Sequence, residues 1–271
     1  MSRSSDEEFA FAGVLRQIAD SVAFKPGYYN ESYLDRRISA RMRRCDIDDH
    51  EAYERRLRED PAEREALMAA LTINVTGFFR NPEMWEVFRD VLRRRTADQR
   101  RVRVWSAPCA DGREPYSVAM LACDDPEIDE RRVEVLGTDI SDEALDAARE
   151  GVYHTTRTTD IAAELEPLST PADWVDRDGD TFSVTDRVQD LVSFDRHDMV
   201  QDGAREAFDV VLCRNLLIYI DSEHKGAVFD TLEASLSPGS VLVVGMTESV
   251  PPDRRDRYEP IDKRRRVFRR Q

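Results

Sequence analysis

The sequence predicts a small all-helical N-terminal domain followed by an α/β domain with a parallel sheet and a small antiparallel β insertion, and three observations carry that expectation. Leu34, Ile38, Met42 and Cys45 recur at helical spacing near the start of the chain. Past Asn81, strand and helix signals alternate, which is the pattern of a parallel sheet covered on both faces. Between Val152 and Phe194 that alternation breaks, with Pro167, Pro171 and Gly179 separating short pieces such as TFSV and LVSF, as in an antiparallel insertion. The expected boundaries are 1–80 for the helical domain and 81–271 for the α/β domain, with the insertion at about 153–195.

Each element has a local reason. Asp60, Pro61 and Glu63 supply an N-cap, a first-turn proline and a capping-box acid for a helix through Leu71. Asn81 and Pro82 start the next helix. VRVWSA then reads as a strand, Tyr116 to Cys123 as a helix and VEVLGTD as a second strand, after which Ser141 caps a helix that ends at Gly151. FDVVLCR resumes as a buried strand, and Ser222 is positioned to cap a helix through Leu236. Pro238 and Gly239 read as a turn before the strand VLVVGM, and Tyr258 to Arg269 as a last, charged edge strand.

The chain has 271 residues and a net charge of -15, and its only lysines are Lys25, Lys225 and Lys263. An acidic, arginine-rich surface is an expected adaptation to high salt and argues against nucleic acid as a partner, whose phosphates it would repel. Cys45, Cys109, Cys123 and Cys213 form no C-x-x-C pair, and His50, His154, His197 and His224 are scattered, so no metal site is expected. MSRSSDEEF has no basic, apolar leader, and the run around LLIYI is interrupted by Arg214 and Asn215, so the reading is cytoplasmic with no membrane insertion. The chain is expected to be monomeric.

The stretch from Trp105 to Met120, WSAPCADGREPYSVAM, places backbone amides and Glu114 at the mouth between a strand and a helix. Asp139 ends the second strand, where an acid grips the hydroxyls of an adenosine ribose. Ser141 is the better helix cap, so Asp139 reads as a ligand. The glycine fingerprint of a pyrophosphate site is absent, the turn after Ala107 containing only Gly112. A phosphate-free cofactor, S-adenosylmethionine, fits better.

NVTGFFR at Asn74 to Arg80, WSAPCADGREPYS at Trp105 to Ser117, GTDIS at Gly137 to Ser141 and FDVVLCRNLLIYID at Phe208 to Asp221 resemble, in order and spacing, the CheR-type chemoreceptor methyltransferases. The resemblance implies a Rossmann-like S-adenosylmethionine-dependent methyltransferase domain and methyl transfer to glutamate side chains on the cytoplasmic domains of chemoreceptors. It places cofactor contacts at Asn74, Thr76, Arg80, Glu114, Asp139, Asp198, Met199, Arg214 and Asn215, with Arg80 and Tyr219 nearest the transferred methyl. Without it, Glu114 reads as a helix-terminus acid and Tyr219 as a core aromatic. The insertion resembles the β-subdomain that some family members use to tether to a receptor tail.

This sequence also departs from the family pattern. Arg113 stands where a second acid is usual, Pro108 and Asp111 replace the usual Gly and Thr, and Asp198 and Met199 replace Asn and Leu. Arg36, Arg37, Arg41, Arg43 and Arg44 are the candidate receptor contacts, because receptor methylation segments are acidic helices. At about 100° per residue, Arg36 and Arg43 lie opposite the apolar stripe, Arg37 and Arg44 flank it and Arg41 borders it. The basic tail, Arg254, Arg255, Arg257 and Lys263 to Arg266, reads as edge protection rather than as a docking surface.

Overall fold

The computed structural model describes residues 5–21, 25–71 and 76–271. The chain divides into two compact units, residues 1–73 with 219–224 and residues 74–218 with 225–271.

The first unit contains α1 (Ser5–Ser21), α2 (Glu31–Arg44), α3 (His50–Glu59) and α4 (Pro61–Leu71). The expected cap at Asp60 is in place, accepting from the amides of Ala62 and Glu63, but Glu63 does not close a capping box: the Asp60 amide donates to the Arg56 carbonyl and the Glu63 side chain turns to Arg41 and Tyr53. Asp49, which sequence reasoning missed, caps α3 by accepting from the amides of Glu51 and Ala52. α1 packs on α3 and α2 on α4, with Val14, Ile18, Leu34, Ile38, Met42, Tyr53, Leu57 and Leu67 buried. Each fully buried aliphatic side chain of this kind contributes about 1.5 to 3 kcal/mol. One acid lies inside this apolar packing. Glu63 accepts from Arg41 Nε at 3.1 Å and Nη2 at 2.5 Å and from the Tyr53 hydroxyl at 2.7 Å, so its charge is fully engaged.

The segment 219–224 joins this unit by main-chain bonds. Tyr29 and Ile220 form an antiparallel bridge, the Asn30 amide donates to the Tyr219 carbonyl at 2.9 Å, and the Asp221 amide donates to the Tyr28 carbonyl at 2.9 Å.

In the second unit, α5 (Pro82–Asp98) precedes β1 (Val102–Ser106), α6 (Arg113–Asp124), β2 (Val133–Asp139) and α7 (Asp142–Glu150). The insertion follows as β3 (Val152–His154), α8 (Ile161–Glu164), β4 (Val175–Asp178), β5 (Thr181–Val184) and α9 (Asp186–Gln189). The chain then returns through β6 (Val192–Arg196), β7 (Phe208–Cys213), α10 (Lys225–Ala234), β8 (Leu236–Val244), β9 (Tyr258–Asp262) and β10 (Val267–Arg270).

The main sheet has seven strands in the order β6-β2-β1-β7-β8-β10-β9, and a separate three-stranded sheet has the order β3-β5-β4. β6, β2, β1, β7 and β8 are parallel, whereas β10 runs antiparallel to both β8 and β9. Strand order reverses between β1 and β7, and the crevice beyond the strand C-termini at such a switch point is where open α/β sheets bind ligands. Asp124, at the end of α6, accepts from the amides of Ser169 and Thr170 and from Trp174 Nε1, which moors the insertion to the main sheet's cover.

Four expectations for this unit are corrected. LVSF is not part of the insertion's sheet: Val192 to Arg196 pair in parallel with Val135 to Asp139 as the outermost main strand on that side. Pro238 and Gly239 do not separate a helix from a strand, because α10 ends at Ala234 and β8 already begins at Leu236. They form an irregularity inside β8, where the register jumps between the Phe208–Leu236 and Val210–Val241 pairs and Gly239 takes φ 83°. The tail is a hairpin, not one strand: Val267 and Phe268 lie on β10, inside the sheet, and the edge is β9. Ser222 does not cap α10, which starts at Lys225.

The tail's arginines are largely paired within the unit. Arg254 meets Asp230 at 2.8 Å and Glu233 at 3.2 Å, Arg257 also meets Glu233, and Arg265 meets Asp262 at 3.1 Å. Among the described residues, no helix is long and apolar enough to cross a membrane.

Candidate functional site

The candidate site residues of the second unit collect on the loops that leave the C-terminal ends of β1, β2, β6 and β7, together with the segment before α5. Asn74 lies outside the described residues. Thr76 and Arg80 line a cavity of about 780 Å³ whose other walls are Trp85, Glu86 and Arg89 of α5 and Glu164, Glu166 and Pro167 of the insertion; Glu114, Asp139, Asp198, Arg214 and Asn215 do not line it. Their segment is held from several sides. The Phe78 amide donates to Glu164 at 2.8 Å, the Phe79 amide to Ser117 Oγ at 3.0 Å, and the Arg80 carbonyl accepts from Trp85 Nε1 at 3.1 Å.

After β1, the turn from Ala107 to Gly112 delivers Glu114 to the first turn of α6. Gly112 has φ 87°, and a Cβ there would stand 2.7 Å from that of Ala148, so its conformation and its closeness to α7 both require glycine. Glu114 accepts from Ser106 Oγ at 2.8 Å and from Arg214 Nη1 at 2.8 Å, forming an ion pair in which Glu114 is 8% and Arg214 5% exposed. Arg214 Nη2 donates to the Arg80 carbonyl at 2.7 Å and to Asn81 Oδ1 at 2.8 Å. One guanidinium therefore ties the loops after β1 and β7 to the segment carrying Arg80. Its Nε is buried without a hydrogen-bond partner.

Asp139, at the tip of β2, accepts from the Ala110 amide at 2.9 Å and from the Ser141 amide at 3.0 Å. Ser141 caps α7 by accepting from Ala144, as expected, so Asp139 is not needed as the cap. Each oxygen of Asp139 retains acceptor capacity. Burial pushes its carboxyl above the usual range, against the opposing effect of the Ser141 and Ala110 amides. The Asp139 carbonyl accepts from the His197 amide at 3.0 Å, which brings the loop after β6 alongside. There Asp198 accepts from the Val200 and Gln201 amides and closes its own turn, and Met199 is buried.

Two sequence features resolve. Arg113 is directed at Asp111, at 2.9 Å, and at Glu164 of the insertion, at 3.4 Å. Cys109 is buried, and its thiol is pushed well above its ordinary value by burial and then by Asp139, Glu114 and Asp111. It is therefore a poor nucleophile. Asp111 and Glu114 are each paired with an arginine. The remaining acceptor capacity of Asp139 and the orphaned Arg214 Nε fit S-adenosylmethionine, with its ribose diol and carboxylate.

Tyr219 is placed differently from the rest. Its described contacts are with the helical unit, its ring 4.9 Å from that of Tyr33 and tilted by 47°. Of the basic set on α2, Arg41 is committed to Glu63, Arg36 and Arg37 lie over the Tyr33 ring at 5.9 and 5.5 Å, and Arg43 and Arg44 are exposed.

Backbone strain is concentrated in the second unit's loops. Phe79, Asn81, Ala110 and Asn215 have positive φ, uncommon for residues with a Cβ, and each lies in a loop carrying a candidate residue. Sequence reasoning missed Glu248. Its buried carboxylate accepts from the amides of Asn215, Ile218 and Gly245. No local pattern signals such a role, because its partners are main-chain groups.

Residues 74–267 match the family described as "CheR methyltransferase, SAM binding domain", and residues 10–72 match "CheR methyltransferase, all-alpha domain". The chain is 30% identical over 224 residues to "Chemotaxis protein methyltransferase" of Listeria monocytogenes, an alignment covering 82% of this chain and 83% of that one. It is 33% identical over 195 residues to "Chemotaxis protein methyltransferase" of Vibrio parahaemolyticus, covering 69% of each. With "Chemotaxis protein methyltransferase 2" of Pseudomonas aeruginosa it shares 28% identity over 215 residues, covering 79% of this chain and 76% of the relative.

Proposed function

The chain belongs to the CheR methyltransferase family, with a Rossmann-like S-adenosylmethionine-binding domain, and on that premise we propose that it methylates glutamate side chains on the cytoplasmic domains of chemoreceptors. The observation that carries the reading is the buried Glu114–Arg214 pair, which keeps an orphaned Nε and bridges the loops after β1 and β7 at the sheet's switch point, with the acid at the tip of β2 on the neighbouring strand.

In this reading Asp139 holds the ribose hydroxyls, and Glu114 with Arg214 holds the amino-acid end. Thr76, Asp198, Met199 and Asn215 line the remaining contacts, as does Asn74. When bound, the cofactor supplies an electrophilic methyl carbon on a sulfonium. The glutamate to be modified has a reference pKa of about 4.3, so it arrives ionised at neutral pH and no general base is required. What the protein contributes is alignment. Arg80 orients a carboxylate beside the methyl, and Tyr219 hydrogen-bonds near it. The helical domain, through its basic α2, is the receptor-recognition domain, and the protein acts as a cytoplasmic monomer.

The test is incubation with methyl-labelled S-adenosylmethionine and receptor cytoplasmic fragments, followed by detection of base-labile methyl esters. Label released by base from receptor glutamates supports the reading. Cofactor binding without ester formation would make the protein a non-catalytic S-adenosylmethionine-binding adaptor, and label on another substrate would make it a methyltransferase of different specificity.

A further inference from the structure

Glu248 stands just past β8, 4% exposed, and its side chain is surrounded by main-chain donors. Its Oε2 accepts from the Asn215 amide at 2.9 Å and the Gly245 amide at 2.6 Å, and its Oε1 accepts from the Ile218 amide at 3.2 Å. The Glu248 amide donates to the Gly245 carbonyl at 2.9 Å, which closes the turn that aims the carboxylate. Gly245 leaves the necessary space: a Cβ there would stand 2.5 Å from Glu248 Oε2 and 2.9 Å from the Asn215 nitrogen.

The Asn215 and Ile218 amides belong to a stretch with neither helix nor strand to satisfy it, and the Gly245 amide follows the end of β8. Asn215 itself is left-handed at φ 62°. Backbone amides that converge on one point form an anion site, and here the chain provides the anion itself. Without it, the Asn215 and Gly245 amides would lose their acceptor and the bend would lose the carboxylate that ties it to the end of β8. Arg214, the residue before the bend, is fixed independently by Glu114 and Asn81. The part of the loop that depends on Glu248 is therefore Asn215 onward.

We propose that Glu248 is a positioning residue of the cofactor site, whose carboxylate holds the Asn215–Ile218 bend in the conformation that presents Asn215 to S-adenosylmethionine. The proposal rests on the reading that Asn215 contacts the cofactor. Burial raises the Glu248 carboxyl above its usual range, against the opposing pull of the Asn215, Gly245 and Ile218 amides.

The test compares Glu248→Gln, Glu248→Asp and Gly245→Ala with the wild type. Calorimetry reads S-adenosylhomocysteine binding, the labelled-methyl assay reads the two KM values, and amide exchange reads Asn215 and Ile218. Glu248→Gln keeps one acceptor and turns an NH2 group toward amide donors. It is expected to weaken product binding at least tenfold, raise KM for the cofactor but not for the receptor, and lose exchange protection at Asn215 and Ile218. Glu248→Asp should recover part of the affinity. Gly245→Ala, which crowds the same carboxylate without changing its charge, should weaken binding in the same direction and serves if Glu248→Gln does not fold. A variant that loses protection at Asn215 yet binds the product as tightly as wild type overturns the proposal. Failure of the wild type to bind the product overturns the reading of the site beneath it.

Discussion

Arg113 and Glu164 meet at 3.4 Å, so the arginine that stands in place of an acid in the turn after β1 is directed at the insertion. Glu164 also accepts from the Phe78 amide at 2.8 Å, and so links the insertion to the segment carrying Arg80 and to α6. The family departure at position 113 thus comes with a partner acid 51 residues away.

Glu164→Ala leaves the Phe78 amide unpaired and Arg113 with Asp111 alone. A lost hydrogen bond to a charged group costs about 1.5 to 3 kcal/mol. Urea unfolding should show a loss of that order, and KM for the cofactor should rise as the Thr76–Arg80 segment loosens. Unchanged stability and unchanged KM would mean that Glu164 does not anchor that segment.

Asp139→Asn is expected to weaken S-adenosylmethionine binding by about 1 to 3 kcal/mol, read by calorimetry. It also carries a pH signature. Because burial raises its pKa in the folded state, the native protein holds this proton more tightly than the unfolded chain does. Stability attributable to Asp139 therefore falls as pH rises from the unfolded value of about 3.9 through the folded one. Relative to Asp139→Asn, the wild type should lose stability over that interval, and a parallel pH dependence in the two proteins would contradict the assignment.

The elements set by neighbouring residues were legible in the chain. Asp60 with Pro61 and Ser141 with Gly151 mark helix limits through bonds only a few residues long, Pro82 marks a start through its fixed φ, and all three helices form where those signals put them, although the Asn81 side chain does not cap and instead accepts from Arg214. What failed depended on partners distant in sequence. LVSF has the same composition whether it pairs with the insertion or with β2, and only Val135 opposite Val192 decides it. Pro238 with Gly239 resembles a turn until β7 is seen to continue past it. Within the candidate site, Asp139 stands out as an acid at a strand tip, whereas Glu114 alone reads as a helix-terminus acid and is singled out, with Arg214, through the family resemblance. The pairing of Glu114 with Arg214, the aim of Arg113 and the role of Glu248 all rest on side-chain directions fixed by the packed sheet.

Glu63 should govern the acid limit of the helical unit. Burial raises its carboxyl, but hydrogen bonds from Arg41, Tyr53 and Cys45 outweigh burial and the net shift is downward. For a lowered acid, the stabilisation is present above the unfolded pKa of about 4.3 and is lost as pH falls through the folded value. Glu63→Gln should destabilise the protein by about 1.5 to 3 kcal/mol at neutral pH. The gap from wild type should close on acidification, and thermal melts that stay equally separated at low pH would contradict the sign.

Charge reversal on α2 separates recognition from folding. Arg36, Arg43 and Arg44 are exposed, whereas Arg41 holds Glu63 through two hydrogen bonds. Replacing Arg36, Arg43 and Arg44 by Glu should reduce receptor methylation more than tenfold while leaving calorimetric cofactor affinity and the melting temperature near wild type. Arg41→Glu should instead lower the melting temperature, because it places two acids together inside the helical unit and removes the partner of Glu63. The size of the recognition effect depends on salt: the screening length shrinks from about 8 Å at 0.15 M to about 3 Å at 1 M, which leaves only direct guanidinium–carboxylate contacts effective. Methylation by the wild type that persists at high salt, together with its loss in the triple variant, would identify those direct contacts. Equal methylation by wild type and triple variant at every salt concentration would remove α2 from receptor recognition.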